Sequence, residues 1–225
     1  MTKVKICGIS NIESAVAAGQ AGADYLGMVF ASSKRQVSPA EAMKTVAEVR
    51  HLESPPQIVG VFVNQPAAEV NQIADYCQLD WVQLSGDESW DCCKQIEKPL
   101  IKVFHIAPDA RHAEISIDVW KGYSLLPPKQ LICLLDSEVN GTYGGTGTTF
   151  NWQVVKTVSE KFSMMIAGGL TPDNVGELLQ VAKPWGVDVS SGVETNGKKD
   201  IDKIKAFIET VRRIDLERAG GGHLG

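Results

Sequence analysis

The chain carries a thiol, a carboxyl group and two glycine-rich segments at the ends of apolar runs. Cys7 closes the run Val4-Lys5-Ile6-Cys7 and is followed by Gly8. A thiolate there can serve as nucleophile or base, since thiol ionisation responds strongly to nearby positive charge. A strand cysteine can equally be an inert apolar group, and Cys77, Cys92, Cys93 and Cys133 read that way. Asp136 follows the apolar run Leu131-Ile132-Cys133-Leu134-Leu135. A carboxyl group buried without a partner is costly, so Asp136 either faces an opening or is paired. Held neutral in apolar surroundings it is a good general acid; a helix cap or loop ion pair is the other reading. Gly168-Gly169 and Ser190-Ser191-Gly192 each follow an apolar run. Glycine lets backbone N–H groups approach an oxyanion closely, so these two segments suit a phosphate. Arg35, in Ser32-Ser33-Lys34-Arg35, offers a bidentate donor for a carboxylate, although a basic pair in a loop can also be solvated surface. The glycine-rich stretch Gly141 to Gly147, just after Asp136, suits a loop that closes over a substrate. Asp188 lies within an apolar run and reads as a core network residue, outside the chemistry.

The elements that must position these groups follow from the hydrophobic pattern. Short runs rich in Val, Ile and Leu recur at Val4–Cys7, Tyr25–Phe30, Ile58–Val63, Trp81–Leu84, Leu100–Phe104, Leu131–Leu135, Met164–Ala167 and Val187–Val189. Near-continuous apolar runs of this length suit parallel strands buried on both faces. Amphipathic segments lie between them. Glu13 to Ala21 is rich in alanine. Ser38-Pro39-Ala40-Glu41 starts a helix with a capping serine, an early proline and an acid at the positive end of the dipole. Thr171-Pro172-Asp173-Asn174 is expected to repeat that device before Val175 to Val181. Ala110 to Ile117 carries the least distinct helical pattern, and Asp200 to Arg213 forms the last helix. Strand–helix alternation repeated about eight times predicts a (β/α)₈ TIM barrel, with a doubly wound open sheet as the alternative. In such a barrel the working groups sit at the C-terminal strand ends, and the loops after strands seven and eight are its recurrent phosphate site. Residues 1–218 are expected to form one domain and 219–225 a disordered tail.

Composition narrows the partners. A formal net charge of -5 gives no electrostatic reason to expect nucleic acid or an anionic membrane. No run approaches the roughly 18 apolar residues of a membrane helix, and the N-terminus lacks a signal-peptide core. Five cysteines without metal-ligand spacing fit a reducing compartment and neither a disulfide framework nor zinc. A cytoplasmic protein is expected. Monomer is the expected state, with a dimer as the other option. No P-loop, dinucleotide fingerprint or Gly-x-Ser-x-Gly elbow is present.

Several segments resemble those of the phosphoribosylanthranilate isomerases. They are Val4 to Ile9, Ser33-Lys34-Arg35 with Val37-Ser38-Pro39, Val59 to Asn64, Gln83-Leu84 with Gly86-Asp87-Glu88, Leu134-Leu135-Asp136 with Gly144 to Gly147 and Phe150, Ala167 to Leu170 with Pro172 and Asn174-Val175, and Asp188 to Glu194. They run in order from Val4 to Asp200, one per expected unit. The resemblance implies an Amadori rearrangement in tryptophan biosynthesis, converting N-(5-phosphoribosyl)anthranilate to 1-(2-carboxyphenylamino)-1-deoxyribulose 5-phosphate. It implies Asp136 as the general acid, Cys7 as the general base, and Arg35 as the holder of the anthranilate carboxylate. It implies phosphate on the loops of Gly168, Gly169, Ser190, Ser191 and Gly192, with no metal or organic cofactor. Two positions depart from the family pattern: Ser85 stands where a histidine is usual, and Asn151 where an aspartate is usual. Other sugar-phosphate barrels fit less well. The histidine-pathway isomerase typically uses an aspartate at the position of Cys7, and indole-glycerol-phosphate synthase needs a lysine–glutamate pair not evident here. A non-catalytic phosphate-binding barrel would have no use for both Cys7 and Asp136.

Overall fold

The computed structural model describes residues 1–105, 112–127, 129–136 and 152–220. The Gly141 to Gly147 loop, Asn151 and residues 221–225 lie outside the described residues.

The apolar runs form β1 (Lys3–Cys7), β2 (Tyr25–Val29), β3 (Gln57–Phe62), β4 (Trp81–Leu84), β5 (Leu100–His105), β6 (Leu131–Asp136), β7 (Met164–Ala167) and β8 (Gly186–Val189). They close a barrel in chain order, with β8 parallel to β1. The expected TIM barrel is the observed architecture, and the open sheet is excluded by that closure. The helices are α1 (Ile12–Gln20), α2 (Pro39–Val49), α3 (Ala67–Tyr76), α4 (Trp90–Cys93), α5 (His112–Leu125), α6 (Trp152–Ser159), α7 (Val175–Val181) and α8 (Ile201–Gly220). A small ribbon, β9 (Glu194–Thr195) and β10 (Lys198–Lys199), is inserted between β8 and α8.

Successive strand residues face opposite sides, so each strand contributes to two cores. Val4, Ile6, Leu26, Ile58, Leu84, Leu100 and Leu135 face outward and pack with helix residues such as Val46, Leu178 and Phe207. Tyr25, Val59, Ile101, Val103, Ile132, Leu134, Met165 and Ala167 face inward, with Trp81 and Trp185 packed against them. The Tyr25 ring lies edge-on to Trp81 at 6.2 Å and tilted against Trp185 at 6.1 Å, plugging the N-terminal end. The alternation also puts Lys5, Gln83 and Asp188 on the inward face, all buried. The barrel interior is therefore partly polar, contrary to the apolar reading of the strands.

Two helix starts separate expectation from outcome. Ser38 caps α2 as expected, and Glu41 completes the reciprocal capping box. Thr171 does not cap α7. Asn174 occupies that position, and its Oδ1 instead accepts from the Thr171 N–H at 2.8 Å. The side chain thus closes its own turn, which proline at 172 favours by restricting the backbone before the helix. Helix α8 continues through Gly220, past Arg213, with Phe207, Ile208, Val211 and Ile214 buried on one face. The pattern after β5 becomes a helix from His112 to Leu125, later and longer than expected.

Candidate active site

Cys7 is the last residue of β1 and Asp136 the last of β6, so both stand at the C-terminal end of the barrel. Each shares the inward parity of its strand: Cys7 with Lys5, and Asp136 with Ile132 and Leu134. The barrel closure sets them on separate arcs of one mouth, with β7 and β8 between them. Cys7 is only 8% exposed. Its register partner on β2 is Gly27, and a Cβ there would lie 2.9 Å from the Cys7 Sγ. The strand therefore needs glycine at that point to seat the thiol. Burial pushes the Cys7 thiol up, Lys5 opposes it with positive charge, and Asp188 adds to the rise.

Arg35 reaches the same end of the barrel. A Cβ on Gly8, which has φ +76, would stand 2.5 Å from the Arg35 Cδ and 3.1 Å from the Ser190 Oγ. The arginine side chain thus lies across the Gly8 turn, between Cys7 and the loop after β8. Its guanidinium donates to Glu194 through Nε at 2.6 Å and Nη2 at 3.0 Å. Lys199 shares the same carboxylate at 2.9 Å and donates to the Ser190 carbonyl at 2.8 Å. The side chains of Lys199 and Glu194 are 2% and 7% exposed. Burial alone would raise the Glu194 carboxyl, but the two cations hold it down at about 2. A carboxyl group depressed in the fold stabilises it above its ordinary value of 4.5, and that contribution is lost as pH falls through about 2. Glu194→Gln should therefore lower the unfolding free energy by roughly 3 kcal/mol at pH 7. The deficit should narrow as pH approaches 3. Urea denaturation at several pH values checks this, and a pH-independent deficit would remove the linkage.

The two glycine loops meet directly. Gly168 and Gly169 have φ of 97 and 61, a region that favours glycine. A Cβ on Gly192 would fall 1.8 Å from the Leu170 carbonyl oxygen, so backbone packs on backbone there. The Gly169 carbonyl accepts from Asn174 at 3.0 Å, which fixes the first loop to the start of α7. Gly169, Ser190, Ser191 and Gly192 are thus gathered at the mouth beside Arg35 and Cys7.

Five further groups at or below the mouth were not among the sequence candidates. Lys5, Glu194 and Lys199 form its charged lining. Gln83 is buried, donates to the Ser85 Oγ at 3.0 Å, and its Oε1 has no hydrogen-bond partner among the described residues. His105 is the register neighbour of Asp136 on β5, and its Nε2 lies 2.9 Å from the Ser85 carbonyl oxygen. His105 thus starts from the backbone position next to Asp136, and its ring reaches the position where Ser85 departs from the family pattern. Period-two alternation was the available signal: it puts Lys5 with Cys7, and His105 with Val103. Nothing local reveals Glu194 or Lys199, whose partners are distant in sequence.

Residues 4–210 match the family described as N-(5'phosphoribosyl)anthranilate (PRA) isomerase. An N-(5'-phosphoribosyl)anthranilate isomerase of Dehalococcoides mccartyi is 45% identical over 218 residues, covering 97% of this chain and 99% of the relative. The crystal structure of phosphoribosyl anthranilate isomerase from Thermotoga maritima superposes with a TM-score of 0.80 at 36% identity, covering 95% of this chain and 100% of that one. Another structure of such an isomerase, in complex with reduced 1-(o-carboxyphenylamino)-1-deoxyribulose 5-phosphate, superposes with a TM-score of 0.78 at 33% identity, covering 95% of this chain and 100% of that one. With its family match spanning nearly the whole barrel, the chain belongs to the N-(5'-phosphoribosyl)anthranilate isomerase family.

Proposed function

We propose that the chain isomerises N-(5'-phosphoribosyl)anthranilate to 1-(2-carboxyphenylamino)-1-deoxyribulose 5-phosphate, a step of tryptophan biosynthesis. The observation that carries this is a thiol and a carboxyl group on one barrel mouth, beside paired glycine loops, in a chain of that family. Asp136 gives its proton to the furanose ring oxygen. The C1′–O bond breaks, and the nitrogen lone pair forms a protonated Schiff base. The Cys7 thiolate takes the C2′ proton, and those electrons form the enolamine. Ketonisation of the 2′-hydroxyl then returns a proton to C1′. No electrons leave the substrate, so the proton transfers account for the whole conversion. The assay is the loss of anthranilate fluorescence on adding purified protein to freshly made substrate. Absence of turnover, or turnover of a different sugar phosphate, would overturn the assignment.

Substrate placement follows the charge layout. The phosphate is assigned to the N–H groups of Gly169, Ser191 and Gly192, because these loops pack together and admit an anion at close range. The anthranilate carboxylate is assigned to Arg35, whose guanidinium is held over Gly8 by Glu194. Arg35→Ala should raise KM and lower kcat/KM by about 10–150-fold, the loss of roughly 1.5–3 kcal/mol from a charged hydrogen bond. A crystal with a product analogue tests both ends. Phosphate density away from the two loops, or unchanged kinetics for Arg35→Ala, would refute the placement.

The described residues contain no helix long and apolar enough to cross a membrane. All five cysteines are free thiols, which favours a cytoplasmic setting. Among the described residues the exposed large apolar side chains are spread over several helices, with Tyr76 on α3, Leu216 on α8, and only α5 carrying more than one, Ile117, Trp120 and Leu125. A monomer of 24.3 kDa is therefore the expected state, and a doubled mass in sedimentation equilibrium would refute it.

A further inference from the structure

One of the large, fully buried side chains in the barrel carries a charge. Lys5 is 0% exposed and its Nζ donates to the Asp188 Oδ1 at 3.0 Å. An ammonium group is expensive to bury, and a buried ion pair is often no more stabilising than well-packed apolar residues of the same volume. Packing alone therefore gives little reason for a lysine inside this barrel. The third group beside the pair supplies one. Lys5 and Cys7 are two residues apart on β1, hence on the same inward face. Both end groups crowd one spot: a Cβ on Gly27 would lie 2.9 Å from the Cys7 Sγ and 3.2 Å from the Lys5 Nζ.

We infer that Lys5 is a positioning residue for Cys7, its buried ammonium stabilising the thiolate that removes the C2′ proton, with Asp188 setting how much of that charge reaches the sulfur. The inference rests on the reading of Cys7 as the base. The charged groups facing Cys7 come from every side. Lys5 lies below it on β1, Asp188 on β8, Lys199 on β10, and Arg35 in the loop after β2, with Glu194 between Arg35 and Lys199. Three cations against two carboxylates leave one positive charge in this cluster, which a thiolate neutralises. Among the influences that oppose the cost of burying the thiolate, the charge of Lys5 is the strongest. Asp188 acts in the reverse sense, since its carboxylate repels the sulfur. The two residues therefore predict shifts of opposite sign, which a merely structural ion pair does not.

The experiment measures ionisation of the Cys7 thiol on the intact folded enzyme. The rate of iodoacetamide modification at Cys7 is followed against pH by peptide mass spectrometry. Lys5→Met should move the titration upward by at least about one unit, so modification near pH 8 slows roughly tenfold. Lys5→Arg should recover part of the loss, and Asp188→Asn should move the titration downward. The ascending limb of kcat against pH should follow each shift while KM stays close to that of the parent. A folded Lys5→Met enzyme with an unshifted thiol would overturn the inference. If Lys5→Met does not fold, an unshifted or raised thiol in Asp188→Asn would overturn it instead. A shifted thiol with an unmoved kcat limb would support the pairing and count against Cys7 as the base.

Discussion

Cys7→Ala should lower kcat by about 10²–10⁴-fold, the usual loss when a general base is removed, with KM changed far less. The substrate's phosphate and carboxylate are assigned to other residues, so binding does not depend on the thiol. The side chain lies at the mouth and belongs to neither apolar core, so its truncation should cost little stability. Cys7→Ser should fail as well, because a hydroxyl hardly ionises near neutral pH and the proton acceptor would be missing. Steady-state kinetics of both variants, with circular dichroism as the folding control, decide the matter. A folded Cys7→Ala enzyme with near-parental kcat would assign the base to another group.

Asp136→Asn should produce a loss of similar size for a different reason. The amide keeps the shape of the carboxyl group but has no proton to give to the ring oxygen, so the furanose stays closed. Ring opening then limits the rate. A substrate deuterated at C2′ separates the two variants: its isotope effect should vanish in Asp136→Asn and persist in Cys7→Ser. An isotope effect of parental size in Asp136→Asn, or kcat within a few-fold of the parent, would show that Asp136 is not the ring-opening acid. The neighbouring His105 is then the first group to examine, since it is the register partner of Asp136 on the same inward face.

The strand-end positions of the two proposed reacting groups, Cys7 and Asp136, were legible because each is a polar residue that ends an apolar run. A carboxylate after Leu131 to Leu135 has to leave the core at that point, and the barrel turns every such strand end toward one mouth. The loops proposed to hold phosphate were legible for a related reason: glycine-rich segments after two consecutive strands mark backbone that must turn sharply beside an opening. Gly168 and Gly169 do take that conformation. The start of α2 was legible in full, since a capping box is closed by residues three apart. The start of α7 was not. Thr171 and Asn174 are equally suited to cap it, and the choice depends on which one the loop after β7 turns toward the helix.

The sequence by itself determined the strand–helix alternation, the strand-end positions of Cys7 and Asp136, and the family resemblance, with closure of the barrel decided by the pairing of β8 with β1. The first three depend on short-range patterns: period-two and helical periodicity, caps, glycines, and motifs of a few residues. Only the tertiary structure decided how the charges are shared. Lys5 meets Asp188 across 183 positions of the chain, and Arg35 meets Glu194 across 159. Such pairs form because barrel closure brings β1 beside β8, after which burial forces each ionic group to find a partner. No local pattern encodes that choice. The electrostatic setting of the Cys7 thiol therefore combines a local neighbour, Lys5, two residues before it on β1, with Asp188, Lys199 and Arg35, which only closure of the barrel brings to it.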